Sequence, residues 1–118
     1  MAAPRDPRIV LEQMLEAIID IEQITAGRSS EAYAADRTAR RAVERCIEIV
    51  SEASRRLPPD LKHRHPEIPW PQIASIGNVL RHDYDAVNDA TIWHAATVDL
   101  LPLKEALTAL LRELEAAP

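Results

Sequence analysis

The sequence predicts an all-α protein: an up-and-down helical bundle of four main helices plus short connecting helices. Gly occurs twice in 118 residues and Phe is absent, whereas Ala, Leu, Ile, Glu and Arg dominate, a composition typical of helices. Runs of β-branched residues with two-residue alternation, which indicate strands, are missing. The length predicts a single domain over residues 1–118.

Composition also limits the compartment and the partners. One cysteine, Cys46, cannot form an intrachain disulfide and fits a reducing compartment, so we expect a cytoplasmic protein. No apolar run reaches the ~18 residues of a membrane span, and the start "MAAPRDPR" has no apolar signal core. The net charge of -5 does not favour long-range attraction to nucleic acid. Ten of the 14 Lys and Arg residues lie between Arg28 and Arg81, which permits a local basic cleft.

The first two helices have recognisable start signals. Asp6 followed by Pro7 is a cap and a first helical residue, and apolar residues recur at helical spacing up to Ile24. Gly27 is a plausible stop, so the first helix is predicted from about Pro7 to Ala26. A short helix follows, capped by Ser29 or Ser30.

The helix predicted from Asp36 has the cleanest stripe. Its inward positions are predicted to be Ala39, Ala42, Val43, Cys46, Ile49, Val50, Ala53 and Leu57. The small residues in this stripe permit close helix approach, either within the fold or across a dimer. The intervening Arg and Glu residues are interpreted as ion pairs on a solvated face.

The connection "LPPDLKHRHPEIPWP" ends this helix, because its five Pro residues cannot continue it. Leu61, Ile68 and Trp70 are candidate apolar anchors that would order it. Pro71 is predicted to start the next helix, and its inward residues are predicted to be Ile73, Ile76 and Leu80, with Tyr84 or Val87 as further candidates.

Two helices complete the bundle. Asp89 is predicted to cap a short helix that carries Ile92 and Trp93. The segment "VDLLPLKEALTALLRELEAAP" predicts the last helix, with inward residues Leu103, Leu107, Leu110, Leu111 and Leu114.

The stretch "IGNVLRHDYDAV", residues 76–87, concentrates side chains with chemistry. On a helix, Asn78 and His82 lie one turn apart on one face, about 6 Å along the axis, with Arg81 roughly 100° round from His82. His moves protons near neutral pH, Arg holds phosphate oxygens, and Asn can orient either group. Spacing alone still favours an exposed polar face. Tyr84 lies about 200° from His82, so it either packs in the core or turns toward the same cleft if the helix loosens.

Other candidate sites are weaker. His63 and His65 flank Arg64 and could begin a zinc site, but no further ligand completes it, so polar turn residues are the better interpretation. His94 is predicted to be a surface or interface residue, and Cys46 a buried inert thiol. The two Trp residues fit core or interface better than base stacking. No metal site and no cofactor site is predicted.

Over nearly its full length the chain resembles the HepT-like toxins of the HEPN superfamily, from the nucleotidyltransferase–HEPN (MntA/HepT) toxin–antitoxin modules. The phrases that carry this resemblance run in order along the chain: "RDPRIVLEQMLEAIIDIE", "DRTARRAVERCIEIVSEA", "LPPDLKHRHPEIPWPQIASIGNVLRHDY" and "VNDATIWHAATVDLLPLKEAL".

The resemblance implies a helical homodimer whose motif helices line a shared cleft and cleave RNA without metal. His82 would be the acid/base, Asn78 an orienting group, and Tyr84 the residue that a partner nucleotidyltransferase antitoxin adenylylates to silence the toxin. No membrane and no DNA partner is implied.

One position departs from the family motif. The family has Arg where this chain has Gly77, five positions before His82. Arg81 is a candidate substitute from its place next to His82. Alternatively, cleavage is lost and the chain is a non-catalytic helical partner or regulatory subunit of a nucleotidyltransferase. A dimeric helical adaptor without any link to nucleotides is the third alternative.

Overall fold

The structure is a computed structural model that describes residues 6–82 and 89–116, with the backbone alone at positions 81 and 82. Within these ranges all regular structure is helical, which confirms the all-α prediction. The four main helices are α1 (Pro7–Thr25), α3 (Arg37–Ser54), α5 (Trp70–His82) and α7 (Leu100–Ala116). The short helices are α2 (Ser30–Ala35), α4 (Pro59–His63) and α6 (Asp89–His94), and a π-helical turn, Ala95–Asp99, joins α6 to α7.

The predicted helix starts are confirmed at three caps. The Asp6 carboxylate accepts a hydrogen bond from the Arg8 N–H at 3.0 Å, Ser29 Oγ accepts from Ala32 N–H at 3.1 Å, and the Asp36 carboxylate accepts from Ala39 N–H at 3.1 Å. Each cap satisfies a backbone donor that the helix itself leaves unpaired. Gly27 has a φ of 72°, a left-handed conformation that glycine adopts without strain.

The core lies between the main helices. α1 packs against α3 and α7, and α3 packs on its other side against α5. Leu103, Leu107 and Leu110 are buried as predicted, whereas Leu111 and Leu114 are partly buried at the edge. None of the helices in the described ranges combines the length and the apolar character that crossing a bilayer requires.

The predicted inward stripe of α3 needs correction. Ala42, Cys46 and Ile49 are only partly buried, whereas Ile47, Ser51 and Ser54 are buried. The reason is that α1 and α5 cover two sides of α3, so a wider sector is buried than one stripe predicts.

The Pro-rich connection is ordered around its predicted anchors. Leu61, Ile68 and Trp70 are buried, and the Trp70 indole N–H lies 3.2 Å from the Lys62 carbonyl and 3.1 Å from the His65 carbonyl. This connection also forms the short helix α4, which the sequence analysis did not predict. The next helix, α5, begins at Trp70, one residue before the predicted Pro71.

The π-helical turn precedes a proline in α7. Pro102 has no N–H to donate to the carbonyl four residues earlier, and its ring crowds that carbonyl, so the ordinary helical pattern is interrupted there. Asp89, which was predicted to cap α6, lies in its first turn.

Candidate active site

The stretch that carries the predicted site residues is helical through position 82. Leu80 is buried, while Ile73 and Ile76 are partly buried, so the predicted inward face of α5 is confirmed at these positions. Asn78 is exposed. The helix therefore places positions 78 and 82 one turn apart on its outward side, as the spacing predicts. The roles of Asn78, Arg81 and His82 stay predictions, and Tyr84 lies outside the described residues.

Gly77 is buried where α5 crosses α3. A Cβ atom built on Gly77 would lie 2.8 Å from Ser51 Oγ, 3.1 Å from Ser51 Cβ and 3.9 Å from the Cα of Glu48. The first distance is shorter than a carbon–oxygen contact allows, so a side chain at position 77 would require Ser51 or the helix crossing to shift. The position that carries Arg in the family motif therefore faces α3.

Ser51 links the two helices by hydrogen bonds. Its hydroxyl donates to the Ala74 carbonyl at 3.0 Å and accepts from the Gly77 N–H at 3.1 Å. Arg55, one turn further along α3, donates from Nε to the same Ala74 carbonyl at 3.1 Å. The role of Ser51 was not predicted from the sequence, although a serine beside an apolar stripe is a weak signal of a helix–helix hydrogen bond.

These contacts show that α3 and α5 run antiparallel. Arg55 meets Ala74, while Ser51 and Glu48 lie nearest Gly77, so lower numbers on α3 face higher numbers on α5. Leu80 accordingly joins Val43 and Ile47 in one apolar cluster. Further along α3, this register carries Glu44 and Arg40 past the last described residue of α5, toward Asp89 at the start of α6.

Two ionisable residues of α3, Arg40 and Glu44, interact with Asp89 of α6. The Arg40 Nη1 lies 3.8 Å from Oδ1 of Asp89 in α6. Burial raises the pKa of the Glu44 carboxyl, as do the nearby charges of Asp89 and Glu48, while Arg40 partly opposes the shift. The sequence predicts ion pairs on a solvated face for most charged residues of this helix. Arg40 and Glu44 are partly buried, and Arg40 forms an ion pair with Asp89 with 27% of its side chain exposed.

The remaining candidates behave as structural residues. His65 Nδ1 lies 3.1 Å from the Glu67 carboxylate, and the exposed His94 lies 3.2 Å from Asp99. Burial raises the pKa of the half-buried Cys46 thiol, which fits the predicted inert thiol. Trp93 stacks obliquely on buried Tyr33 at 5.3 Å between ring centroids. In the described parts of the chain, no three His, Cys, Asp or Glu side chains converge as a metal site requires.

An apolar groove of about 440 Å³ lies away from the motif, between the start of α5, the π-helical turn and the start of α7. Ile73 and Ile76 line its floor, and Val98 lies at its edge, 49% exposed. Its polar lining residues are Glu67, Gln72 and Asp99. This groove holds no set of groups suited to proton transfer.

Comparison with known proteins gives a consistent family. A family model described as "Ribonuclease HepT-like" matches residues 14–110. The chain is 37% identical over 100 residues to "Probable ribonuclease HepT" of Thermococcus cleftensis, which covers 85% of this chain and 91% of the relative. It is 28% identical over 111 residues to "Putative RNase MJ1216" of Methanocaldococcus jannaschii, with 94% and 92% covered. No solved structure matched the chain.

Proposed function

We propose a function from the premise that this chain belongs to the HepT-like ribonuclease family. The proposed function is that of an endoribonuclease toxin of a toxin–antitoxin pair, which acts as a homodimer. The observation that carries the proposal is the exposed Asn78, one helical turn from position 82, in a stretch whose sequence matches the family motif at Asn78, His82 and Tyr84. The names of the relatives, which are ribonucleases, support the same class of reaction.

The proposed reaction is a transesterification that needs no metal. A base removes the proton of a ribose 2′-hydroxyl, and the 2′-oxygen attacks the adjacent phosphorus. The bond to the 5′-oxygen then breaks, and that oxygen takes up a proton. His82 is the proposed acid/base, because imidazole exchanges protons near neutral pH, and Asn78 orients His82 or the substrate.

The charge that builds on the phosphate needs a cation. Arg81 is the proposed stabiliser, from the position next to His82, since removing one such donor from an active site typically costs about 2.7–4 kcal/mol of barrier. Arg40 of α3 is a second candidate, because its guanidinium lies 3.8 Å from Asp89, which follows Tyr84 by five positions in the sequence. Either cation would act in place of the Arg that the family motif has at position 77.

The proposed regulator is a nucleotidyltransferase antitoxin that adenylylates Tyr84. A bulky anion two residues beyond His82 would occupy the cations and block access to the cleft. This modification would explain how a toxin is silenced without being degraded.

A second function is favoured by Gly77. The family's Arg is absent at position 77, and a side chain there would require Ser51 or α5 to shift. The alternative is a non-catalytic helical subunit of a nucleotidyltransferase, in which the fold and the partner are retained and cleavage is lost.

The deciding experiment is cleavage of labelled RNA in the presence of EDTA. Wild type, His82→Ala and Arg81→Ala are compared, with His94→Ala as the control, because His94 is exposed and pairs with Asp99 outside the motif. Cleavage lost only in the two motif variants supports the ribonuclease. Wild type that cleaves no better than His82→Ala rejects it, and complex formation with the nucleotidyltransferase then supports the alternative.

Modification is tested by mass spectrometry after co-expression with the nucleotidyltransferase. The chain has two tyrosines, and Tyr33 is 1% exposed, so it is an internal control for specificity. An AMP adduct on the peptide that carries Tyr84 supports the antitoxin mechanism, and an unmodified Tyr84 contradicts it. Sedimentation of the purified chain tests the homodimer.

A further inference from the structure

We propose that Ser51 is the positioning residue of this site: its hydroxyl fixes α5 against α3 and occupies the space that a side chain at position 77 would need. This inference rests on the proposed ribonuclease function and deepens it, since Ser51 lies on a different helix from the motif. It also gives a physical reason for the glycine at the motif's Arg position.

The first observation is the pair of hydrogen bonds that one buried hydroxyl makes. Ser51 is 0% exposed, donates its single proton to the Ala74 carbonyl and accepts the Gly77 N–H. Both partners belong to the helical turn that ends directly before Asn78. A buried hydroxyl that both donates and accepts resists movement, because a shift leaves polar groups without partners away from water.

The second observation is that Arg55 reinforces the same point. Its Nε donates to the Ala74 carbonyl, which is also the carbonyl that the Asn78 N–H approaches in a regular helix. Two side chains of α3 therefore hold the carbonyl four residues before Asn78. Sliding or rotating α5 by a fraction of a turn would break both contacts together.

The third observation is steric exclusion between positions 51 and 77. The Ser51 hydroxyl lies 2.8 Å from where a Cβ of residue 77 would be, so the hydroxyl and a side chain at 77 cannot both be present without moving α5. Gly77 is thus the partner that lets the hydroxyl reach the backbone. The consequence for the reaction is positional, because a displacement of about 1 Å at reacting groups can cost 10²-fold in rate.

The test compares two buried serines of α3. Ser51→Ala removes both contacts to α5, whereas Ser54→Ala is the matched control, because Ser54 is also 0% exposed but its hydroxyl donates within α3, to the Ser51 carbonyl at 2.7 Å. At a temperature where all variants are folded, we expect Ser51→Ala to lower kcat about tenfold or more with KM changed less than about twofold. We expect Ser54→Ala to leave both constants within about twofold.

A second pair of variants tests the exclusion. Gly77→Ala should lower kcat strongly in the wild-type background but add little in the Ser51→Gly background, where the opposing hydroxyl and Cβ are both absent. If Gly77→Ala lowers kcat equally in both backgrounds, there is no steric conflict between Ser51 and a side chain at position 77. A Ser51→Ala protein with wild-type kcat overturns the positioning role.

Amide hydrogen exchange separates failure of this inference from failure of the proposed function. Without RNA, Ser51→Ala should speed exchange at residues 77–82 more than Ser54→Ala does, because local opening of α5 becomes easier. Faster exchange together with no His82-dependent cleavage in the wild type rejects the ribonuclease function, but it still supports the conclusion that Ser51 fixes α5 against α3. If exchange at residues 77–82 is the same in Ser51→Ala as in Ser54→Ala, Ser51 does not fix α5 against α3, whatever the cleavage result.

Discussion

Nη1 of Arg40 on α3 lies 3.8 Å from Oδ1 of Asp89 on α6. The side chain of Arg40 is 27% exposed and that of Asp89 is 40% exposed. An ion pair with this N–O distance and this much solvent exposure contributes little to the stability of the fold. Within the described part of the chain, the shielded Nε of Arg40 has no hydrogen-bond partner. Because this ion pair is weak, we expect the guanidinium to be able to leave Asp89 for a phosphate oxygen.

Arg40→Ala is expected to lower kcat/KM for RNA cleavage about tenfold, mainly through KM, because a phosphate contact is lost. The dependence of RNA affinity on salt should also weaken, since each phosphate neutralised adds to that slope. Affinity measured at two salt concentrations checks the second expectation. Arg41→Ala is the control, because Arg41 is the neighbouring exposed arginine. Equal effects of the two substitutions would show that only overall charge matters.

Glu44→Gln is expected to stabilise the folded protein at neutral pH, by less than about 1 kcal/mol, as for most substitutions outside a packed core. Burial raises the pKa of Glu44 above its ordinary value, so the folded state holds this proton more tightly than the unfolded state does. The wild type therefore loses stability as the pH rises from the ordinary glutamate pKa through the raised one. Gln carries no such charge.

Urea unfolding between pH 4 and pH 8 measures this difference, and Glu105→Gln is the control on an exposed position of α7. The gain from Glu44→Gln should be present at pH 8 and shrink toward pH 4. A gain that is the same at both pH values would mean that the Glu44 charge is not the cause.

Trp70→Phe is expected to destabilise the protein by about 1–3 kcal/mol. The indole N–H lies within hydrogen-bond distance of two carbonyls of the connection, and Phe leaves both carbonyls without this donor in a buried place. Unfolding in urea gives the free energy. Trp93→Phe is the comparison, because Trp93 is only partly buried and its ring packs on that of Tyr33. A loss as large as that of Trp70→Phe would indicate that ring packing, not the indole hydrogen bonds, accounts for most of the destabilisation.

The helix caps and helix limits were predictable from the sequence, because they depend on residues close together along the chain. Asp6, Ser29 and Asp36 act as caps within a few residues of their partners, and Pro7 and the Pro-rich connection set helix limits through their own backbone. The π-helical turn was not predicted, although Pro102, which lacks the N–H of an ordinary helical residue, is visible in the sequence.

The site was predictable only in part, because its supporting contacts span long stretches of chain. Ser51 meets α5 across 23 and 26 positions, and no periodicity within α3 reveals such a partner. Arg40 and Glu44 have the spacing of an ordinary surface ion pair, and only the three-dimensional structure shows that both lie near Asp89 of α6. The departure at Gly77 was visible from the motif alone, but its steric cause needed the helix crossing.

Gly77→Arg, which would recreate the family motif, is expected to destabilise this protein and to leave cleavage no higher than in the wild type. The new Cβ would meet Ser51 Oγ at 2.8 Å, and overpacking of this kind typically costs about 1–3 kcal/mol. Ser75→Arg is the matched control, because Ser75 is exposed on the same helix and its hydroxyl donates only to the Gln72 carbonyl, at 3.1 Å, within α5. Urea unfolding and RNA cleavage of both variants check the prediction. If Gly77→Arg were as stable as Ser75→Arg and cleaved RNA faster than the wild type, α5 would have room to move away from α3, and the motif's Arg would be usable here after all.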